Sequence, residues 1–265
     1  MGNILLYLLP ASLYAALTIA CIRKKTDRNA LIHALLLSAL VSHAWSLGNL
    51  LFAEDGLRFG FTAALSLTLW LAMLIYSLES LLTPLHRLLK HAAPIAGFSC
   101  LLPLAISGHP HSLPLANWAF KAHIVVAMLA YSLFTLAIFH ALLLAAAEHN
   151  LHRAKLGEER DTPPLLILDS LLFRLTNTAF VFLTLTVGSG LFFSEQIFNK
   201  PLMLNHKAFF GIASWLLFAT LLIGRKTLGW RGKTATHWLL AGFIALVLAY
   251  AGTRFVLEFL LGRSV

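Results

Sequence analysis

Apolar segments of about 20 residues recur along this chain, and they restrict its fold more than any other feature of the sequence. A segment of that length, wound as an α-helix, crosses a hydrocarbon core of roughly 30 Å. Charged residues make up only 12% of the 265 residues, against roughly 25% in an ordinary soluble domain, and are too few to cover a globular surface. We therefore predict an all-α fold, a polytopic transmembrane helix bundle that forms one integral membrane domain, residues 1–265.

The hydropathy pattern predicts eight spans and one shorter helix. The spans cover about residues 4–22, 30–52, 61–82, 92–107, 119–147, 177–197, 206–224 and 237–261. The segment 161–175 begins with a capping Asp-Thr and two prolines and is too short to cross, so we predict an interfacial helix there. The sequence VGSG at 187–190, inside the sixth span, predicts close packing between helices.

Lysine and arginine concentrate in the loops that follow the odd-numbered spans, for example RKKTDR after the first and RKTLGWRGK after the seventh. The positive-inside rule puts these loops in the cytoplasm and both termini on the periplasmic side. The formal charge of +9 is scattered over short loops rather than gathered on one face, so it indicates a lipid bilayer and not nucleic acid as the partner. Cys21 and Cys100 stand alone, without a CxxC pair, which argues against thiol-disulfide chemistry.

Three of the twelve histidines share the predicted outer side of the membrane: His43, His123 and His206. At roughly 1.5 Å per residue, His43 lies about 13 Å below the outer end of its helix and His123 about 5 Å below its own. An imidazole in a membrane segment is costly without a polar partner, which makes each a functional candidate. Neutral imidazole is an axial ligand of haem iron. The alternative for each is a neutral histidine that donates one hydrogen bond between helices.

Arg254 and Glu258 lie four residues apart on the last predicted span, near its outer end. Residues at this spacing share a helix face, and opposite charges there lower each other's cost in a membrane. The pair is therefore interpreted either as a structural ion pair or as a site where Arg254 contacts a propionate of haem.

Four stretches of the sequence together resemble one known family. They are SHAWSLGNL at 42–50, AHIVVAMLAYSLFTLA at 122–137, NHKAFFGIASWLLFATLLIGR at 205–225 and GWRGKTATHWLLAGFIALVLAYAGTRFV at 229–256. With these stretches the chain resembles the cytochrome c assembly family of haem-handling membrane proteins, in its short CcsA-like branch of the YpjD and HemX type. The resemblance implies a multi-pass protein of the bacterial inner (plasma) membrane.

The resemblance also implies a set of haem ligands. His43 matches a transmembrane haem ligand of the family, and His123 matches the first outer ligand. The family's second transmembrane histidine falls at Ile223 and its second outer histidine near Leu261, and neither position carries a histidine here. His206 is then the candidate for the missing outer ligand. The tryptophan-rich outer loop of the synthetase subunits is replaced by the short FNKPLMLNHK, so we do not expect enzymatic ligation of haem to a cytochrome.

These expectations define a leading function and two alternatives. The leading one is a haem-binding or haem-handling accessory protein of the cytochrome c assembly type, with haem as cofactor and other assembly or membrane proteins as possible partners. The first alternative is a membrane scaffold or regulatory protein without haem that stabilises another membrane complex. The second is a transporter, which would need an acidic or interrupted helix near the midplane, whereas Glu79 and Glu195 lie near span ends.

Overall fold

The computed structural model describes residues 4–23, 29–53, 56–82, 86–106, 111–112, 118–152, 164–192 and 206–249. Eight helices account for most of these residues. The chain divides into two compact units. The first contains the four helices before residue 113, and the second contains the four helices after it.

In the first unit, two helices each pack against the same two neighbours. The helices are α1 (Ile4–Ile22), α2 (Asn29–Leu51), α3 (Phe61–Glu79) and α4 (His86–Ala105). Both α1 and α3 contact α2 and α4. Tyr14 and Leu17 of α1 are fully buried, and a Cβ added to Gly97 of α4 would lie only 3.0 Å from the Cβ of Tyr14. Glycine at 97 therefore lets α1 and α4 approach closely enough to bury the tyrosine.

Three short strands extend the first unit beyond its helices. They are β1 (Phe52–Ala53), β2 (Gly56–Phe59) and β3 (His111–Ser112), and they form an antiparallel sheet in the order β1-β2-β3. Phe52 pairs with Leu57 and Phe59 pairs with His111. The sequence interpretation did not include these strands, whose pairing gives hydrogen-bond partners to backbone groups that follow the end of a helix.

The second unit is built around its longest helix. It contains α5 (Trp118–His152), α6 (Leu165–Phe192), α7 (His206–Thr227) and α8 (Gly232–Val247). The helices α6 and α8 both pack on α5, and α7 packs on both of them. In the core the rings of Phe134 and Phe218 stack with 3.8 Å between centroids, and a Cβ on Gly242 would lie 2.7 Å from the Phe218 ring. That glycine allows α8 to lie close against α7.

The helix bundle confirms the predicted fold class. Within the described ranges, seven helices, α1 to α7, are long and apolar enough to cross a membrane. The eighth predicted span, 237–261, is described only as far as residue 249, where α8 and the turn after it contribute. The side of the membrane on which the termini lie stays a prediction.

Several predicted boundaries differ from the observed helices, three of them by the most informative amounts. The interfacial helix is predicted at 161–175, of which the structure describes residues 164–175. From Leu165 this segment continues without a break into the sixth span as the single helix α6, because no glycine or proline interrupts the sequence there. The helix α4 begins at His86 rather than near 92, since Leu88 and Leu89 of the predicted loop are buried and extend its apolar face. Helix α5 likewise runs five residues past its predicted end.

Candidate functional site

His43 lies in the middle of a buried polar network in the first unit. Its Nδ1 is 3.2 Å from the hydroxyl oxygen of Tyr14 on α1, and its Nε2 is 2.8 Å from Oγ of Ser66 on α3. Neither His43 nor Tyr14 has any exposed surface, and Ser66 is 2% exposed. We call Tyr14, His43 and Ser66 the His43 network; it links three helices, and either tautomer of the imidazole engages both ring nitrogens.

The packing around this network is consistent with a rigid part of the unit. The rings of Tyr14 and His43 meet edge to face, with centroids 5.7 Å apart. One turn away along α2, the carbonyl of Leu40 accepts a 2.9 Å hydrogen bond from Nε1 of Trp70 on α3. A second hydrogen bond between the same two helices limits their sliding, so the imidazole is held between fixed partners.

His123 has a different environment in the second unit. It is half-buried near the start of α5, and its Nδ1 lies 2.8 Å from Oγ of Ser189 on α6. The same hydroxyl lies 3.1 Å from the carbonyl of Thr186, to which it can donate its only hydrogen. In that arrangement the hydroxyl accepts from the imidazole, and His123 carries its proton on Nδ1 and its lone pair on Nε2. A lone pair on Nε2 is what a metal or a hydrogen-bond donor requires.

The glycines next to Ser189 leave space on this side of α6. A Cβ added to Gly188 would meet no described atom within 4 Å, and one added to Gly190 would meet only Cε1 of His123, at 3.6 Å. The helices α5 and α6 do pack along one another. At the VGSG sequence the Ser189–His123 hydrogen bond joins them, and the glycines present a surface without side chains.

The remaining predicted site residues are less enclosed or fall outside the description. His206 is the first residue of α7, in the second unit, and its side chain is exposed. Arg254 and Glu258 lie outside the described residues. His43 belongs to the first unit and His123 to the second. In the part of the chain that the structure describes, no three or more His, Cys, Asp or Glu side chains gather as a metal site.

A charged cluster in the second unit was not singled out from the sequence. Asp169 of α6 is 8% exposed and accepts a 2.5 Å hydrogen bond from an Nη of Arg225 on α7. The other Nη of Arg225 donates to the carbonyl of Trp230, at 3.1 Å, and the guanidinium carbon lies 4.2 Å from the ring centre of Phe173. Arg225 thus joins α6 to the turn that follows α7.

That turn contains the GWRG sequence, and its shape depends on glycine. Gly229 and Gly232 both have positive φ, at +67° and +52°, which side chains other than glycine rarely adopt. A Cβ on Gly224 would overlap the Trp230 ring, which stacks on Trp238 with centroids 5.3 Å apart. Substitution of these glycines would therefore displace the tryptophan or strain the turn.

Sequence reasoning missed Tyr14, Ser66, Ser189 and Asp169 as partners, and the signals for them differ. Ser189 belonged to a sequence already singled out, and a hydroxyl within a span is itself a candidate partner for an intramembrane histidine. Asp169 was signalled by being an acid inside an apolar helix. Tyr14 gave no signal, because a tyrosine in an apolar segment usually indicates the membrane interface.

Comparison with known proteins identifies the family. The profile described as "Cytochrome C assembly protein" matches residues 31–261. Inner membrane protein YpjD of Escherichia coli strain K12 is 34% identical over 134 residues, which are 51% of this chain and 50% of that protein. A cytochrome c biogenesis protein CcsA of Heterosigma akashiwo is 32% identical over 92 residues, 35% of this chain and 29% of that protein.

Another relative matches over nearly the whole length. The "Uncharacterized 28.8 kDa protein in nifR3-like 5′ region" of Azospirillum brasilense is 27% identical over 272 residues, 97% of this chain and 96% of that protein. The match to YpjD, in contrast, spans half of that protein's length. No solved structure matches the chain. From the family profile, the relatives and the seven long apolar helices, the chain belongs to the cytochrome c assembly family and is a multi-pass bacterial inner-membrane protein.

Proposed function

We propose that this protein is a haem-handling accessory protein of the inner membrane, of the cytochrome c assembly type, without haem-ligating activity of its own. The observation that carries the proposal is the 2.8 Å contact between Nδ1 of His123 and Oγ of Ser189, whose hydroxyl can give its hydrogen to the carbonyl of Thr186. In that arrangement Ser189 accepts from Nδ1–H, and the lone pair of the imidazole is on Nε2. Axial and metal-ligating histidines commonly have this arrangement, because the hydrogen bond at the other nitrogen fixes the tautomer and the ring orientation.

The surroundings of His123 also suit a flat ligand. The two glycines of the VGSG sequence leave a side of α6 without side chains beside the imidazole. Bound haem would supply a redox-active iron at this position. In this proposal His123 would bind the iron and Ser189 would orient His123.

His43 fits an iron ligand less well than His123 does. Both of its ring nitrogens are engaged and it has no exposed surface, so binding iron would require breaking at least one buried hydrogen bond and opening the helices around it. Its role as a haem ligand, which the family resemblance implies, stays a prediction. So does the role of His206, whose exposed position at the start of α7 is compatible with a second outer ligand.

The proposed lack of ligating activity follows from the positions that the family resemblance assigns to further histidines. Ile223, at the position of the family's second transmembrane ligand, is 60% exposed on α7. An isoleucine has no lone pair to offer a metal, so a pair of axial histidines of the synthetase kind cannot form at this position. We therefore propose binding or transfer of haem rather than catalysis.

The His43 network favours a second candidate function, a membrane scaffold that does not bind haem. A neutral, fully hydrogen-bonded histidine that ties three helices together is what a structural role requires. In that case the family fold would be kept for its packing, and His43 and His123 would both be structural. The two candidates differ in whether any histidine substitution changes a haem spectrum.

The proposal is tested by visible spectra, oxidised and reduced, of detergent-purified protein with and without added haemin. We expect the wild type to have a Soret band and His123→Ala to lose most of it, because the axial nitrogen is removed. The matched control is His237→Ala, which removes an exposed histidine of the same unit. A wild type that remains colourless after haemin is added would overturn haem handling and leave the scaffold function.

A finer prediction concerns Ser189. We expect Ser189→Ala to weaken haem binding about ten-fold, the lower end of the effect of losing a partner that orients a metal-bound histidine. Ser189→Thr keeps a hydroxyl and is expected to retain most of the affinity. Haemin titration followed at the Soret band measures both. Equal affinity in wild type and Ser189→Ala would contradict the orienting role.

A further inference from the structure

We propose that the turn between α7 and α8 binds the headgroup of an anionic phospholipid. The surface consists of Lys226, Leu228, Trp230, Arg231 and Lys233, which we call the α7–α8 turn surface. This proposal goes beyond the proposed haem function, because the surface lies at the charged cluster around Asp169 and includes neither His43 nor His123. The argument rests on unbalanced charge, on exposed apolar side chains next to it, and on the rigidity of the turn.

The charges at this surface do not cancel among the described residues. The carboxylate of Asp169 accepts from Arg225 at 2.5 Å, whereas Nε of Arg231 is 3.9 Å from it. The Arg231 side chain is 61% exposed. Lys226 and Lys233 are exposed as well. Three cations therefore face outward around one turn, where a phosphate could contact more than one of them.

A second carboxylate lies close to the turn. An oxygen of Glu148 on α5 would lie 2.7 Å from a Cβ on Gly232, which places it at the first turn of α8. The backbone N–H groups at a helix start lack partners within the helix, and a negative charge is favourable there. The position of Glu148 also explains why residue 232 must lack a side chain. With Glu148 and Asp169 set against Arg225, Lys226, Arg231 and Lys233, positive charge still exceeds negative charge among these residues.

Apolar and aromatic side chains stand beside the three cations. Leu228 is 70% exposed at the tip of the turn, and the stacked indoles of Trp230 and Trp238 are half-buried below it. Tryptophan, exposed leucine and basic residues together are typical of protein surfaces at the level of lipid headgroups. The leucine suits contact with the first carbons of an acyl chain while the cations contact the phosphate.

The turn holds these groups in one arrangement. Its backbone depends on the positive φ of Gly229 and Gly232, and its Trp230 carbonyl is tied to Arg225. The indole of Trp230 fills the space that the missing side chain of Gly224 leaves. A cationic surface that is already ordered loses little entropy on binding, so it distinguishes a specific headgroup site from scattered surface charge.

The proposal is tested by native mass spectrometry of the 265-residue protein. Defined phosphatidylglycerol or phosphatidylcholine is added to the protein in detergent, and the lipid that stays bound is measured after release from the micelle. We expect the first phosphatidylglycerol to bind the wild type about ten-fold more tightly than the first phosphatidylcholine. The triple variant K226Q/R231Q/K233Q is expected to lose most of that preference. All three side chains are exposed, and circular dichroism of each variant verifies that the helices remain.

The control removes the same amount of charge elsewhere. The variant R23Q/K90Q/R174Q replaces three other exposed cations of the described helices and their ends, and it should keep the preference for phosphatidylglycerol. Equal losses in the two triple variants would attribute lipid binding to overall charge and overturn the proposal. A wild type without any preference, or a K226Q/R231Q/K233Q variant that keeps it, would overturn the proposal as well.

Discussion

Replacing His43 with alanine is expected to destabilise the first unit by about 3 kcal/mol. The substitution leaves the Tyr14 hydroxyl without its partner in an apolar interior, which costs about 1–3 kcal/mol, and removes a buried ring whose space the surrounding helices fill only partly. Ser66 contributes less to the cost, because its hydroxyl can turn to a carbonyl of its own helix. This loss of stability is large for one substitution, because the His43 side chain joins three helices.

The measurement uses the cysteine that lies in the same unit. Cys100 on α4 is 1% exposed, so in a Cys21→Ala background it reacts with a maleimide dye only when the first unit opens. We expect His43→Ala to react at a clearly lower temperature than the parent. Ser42→Ala is the matched control, since that neighbouring hydroxyl bonds only to a carbonyl of its own helix, that of Ala39. Identical melting of His43→Ala and its parent would contradict the network's structural role.

A double substitution separates the loss of the hydrogen bond from the loss of volume. Tyr14→Phe alone should cost about 1 kcal/mol, whereas in the His43→Ala background it should cost nothing or be stabilising, because the stranded hydroxyl is removed. The same data decide how the haem spectrum of His43→Ala is interpreted. A variant that loses haem together with its thermal stability reports on folding, whereas one that loses haem and melts normally reports on ligation.

Replacing Asp169 with alanine is expected to destabilise the second unit by about 2–3 kcal/mol. Removal of one partner of a mostly buried ion pair leaves Arg225 uncompensated, and the 20% exposure of the arginine side chain reduces the effect below the roughly 3–5 kcal/mol of a fully buried pair. The loss also frees the Arg225 guanidinium from the position in which it donates to the Trp230 carbonyl. Unfolding in mixed micelles with increasing dodecyl sulfate, followed by circular dichroism, measures the change.

Two further variants determine whether the loss of charge causes the destabilisation of Asp169→Ala. Asp169→Asn keeps the size and one acceptor oxygen, and should cost roughly half as much. Asp169→Ala combined with Arg225→Met removes both charges, and we expect it to recover part of the stability, because no buried charge is left without a partner. A double variant that is as unstable as the sum of the two single variants would show that packing, and not the ion pair, holds the turn to α6.

The positions of the helices could be predicted with some accuracy, but not their partners. The first span, 4–22, coincides with α1, and His206 begins α7 as predicted. The run of apolar residues sets such limits directly. The predicted interfacial helix is not separate from the sixth span in the described residues. A span can extend past the hydrocarbon core without any break in the sequence, as α6 does over 28 residues.

For the candidate site, too, the sequence predicted the residues but not their partners. The free-energy cost of an imidazole in a membrane was enough to select the two histidines in spans. It did not predict the kind of site that each histidine would form. His43 bonds to residues 29 and 23 positions away, and His123 bonds to one 66 positions away. Hydrogen-bond partners so distant in sequence are chosen by which helices pack together and at what rotation, and hydropathy contains neither quantity.

By itself, the sequence determined that this chain forms membrane helices and which family it resembles. The helices follow from a local property, since a backbone in hydrocarbon must satisfy its hydrogen bonds within each segment. The resemblance follows from continuous stretches of sequence. Only the tertiary structure decided that His43 is enclosed by Tyr14 and Ser66, that Ser189 orients His123, and that Asp169 holds the arginine behind the GWRG turn. These contacts join side chains on different helices, so their energies exist only once the helices have packed.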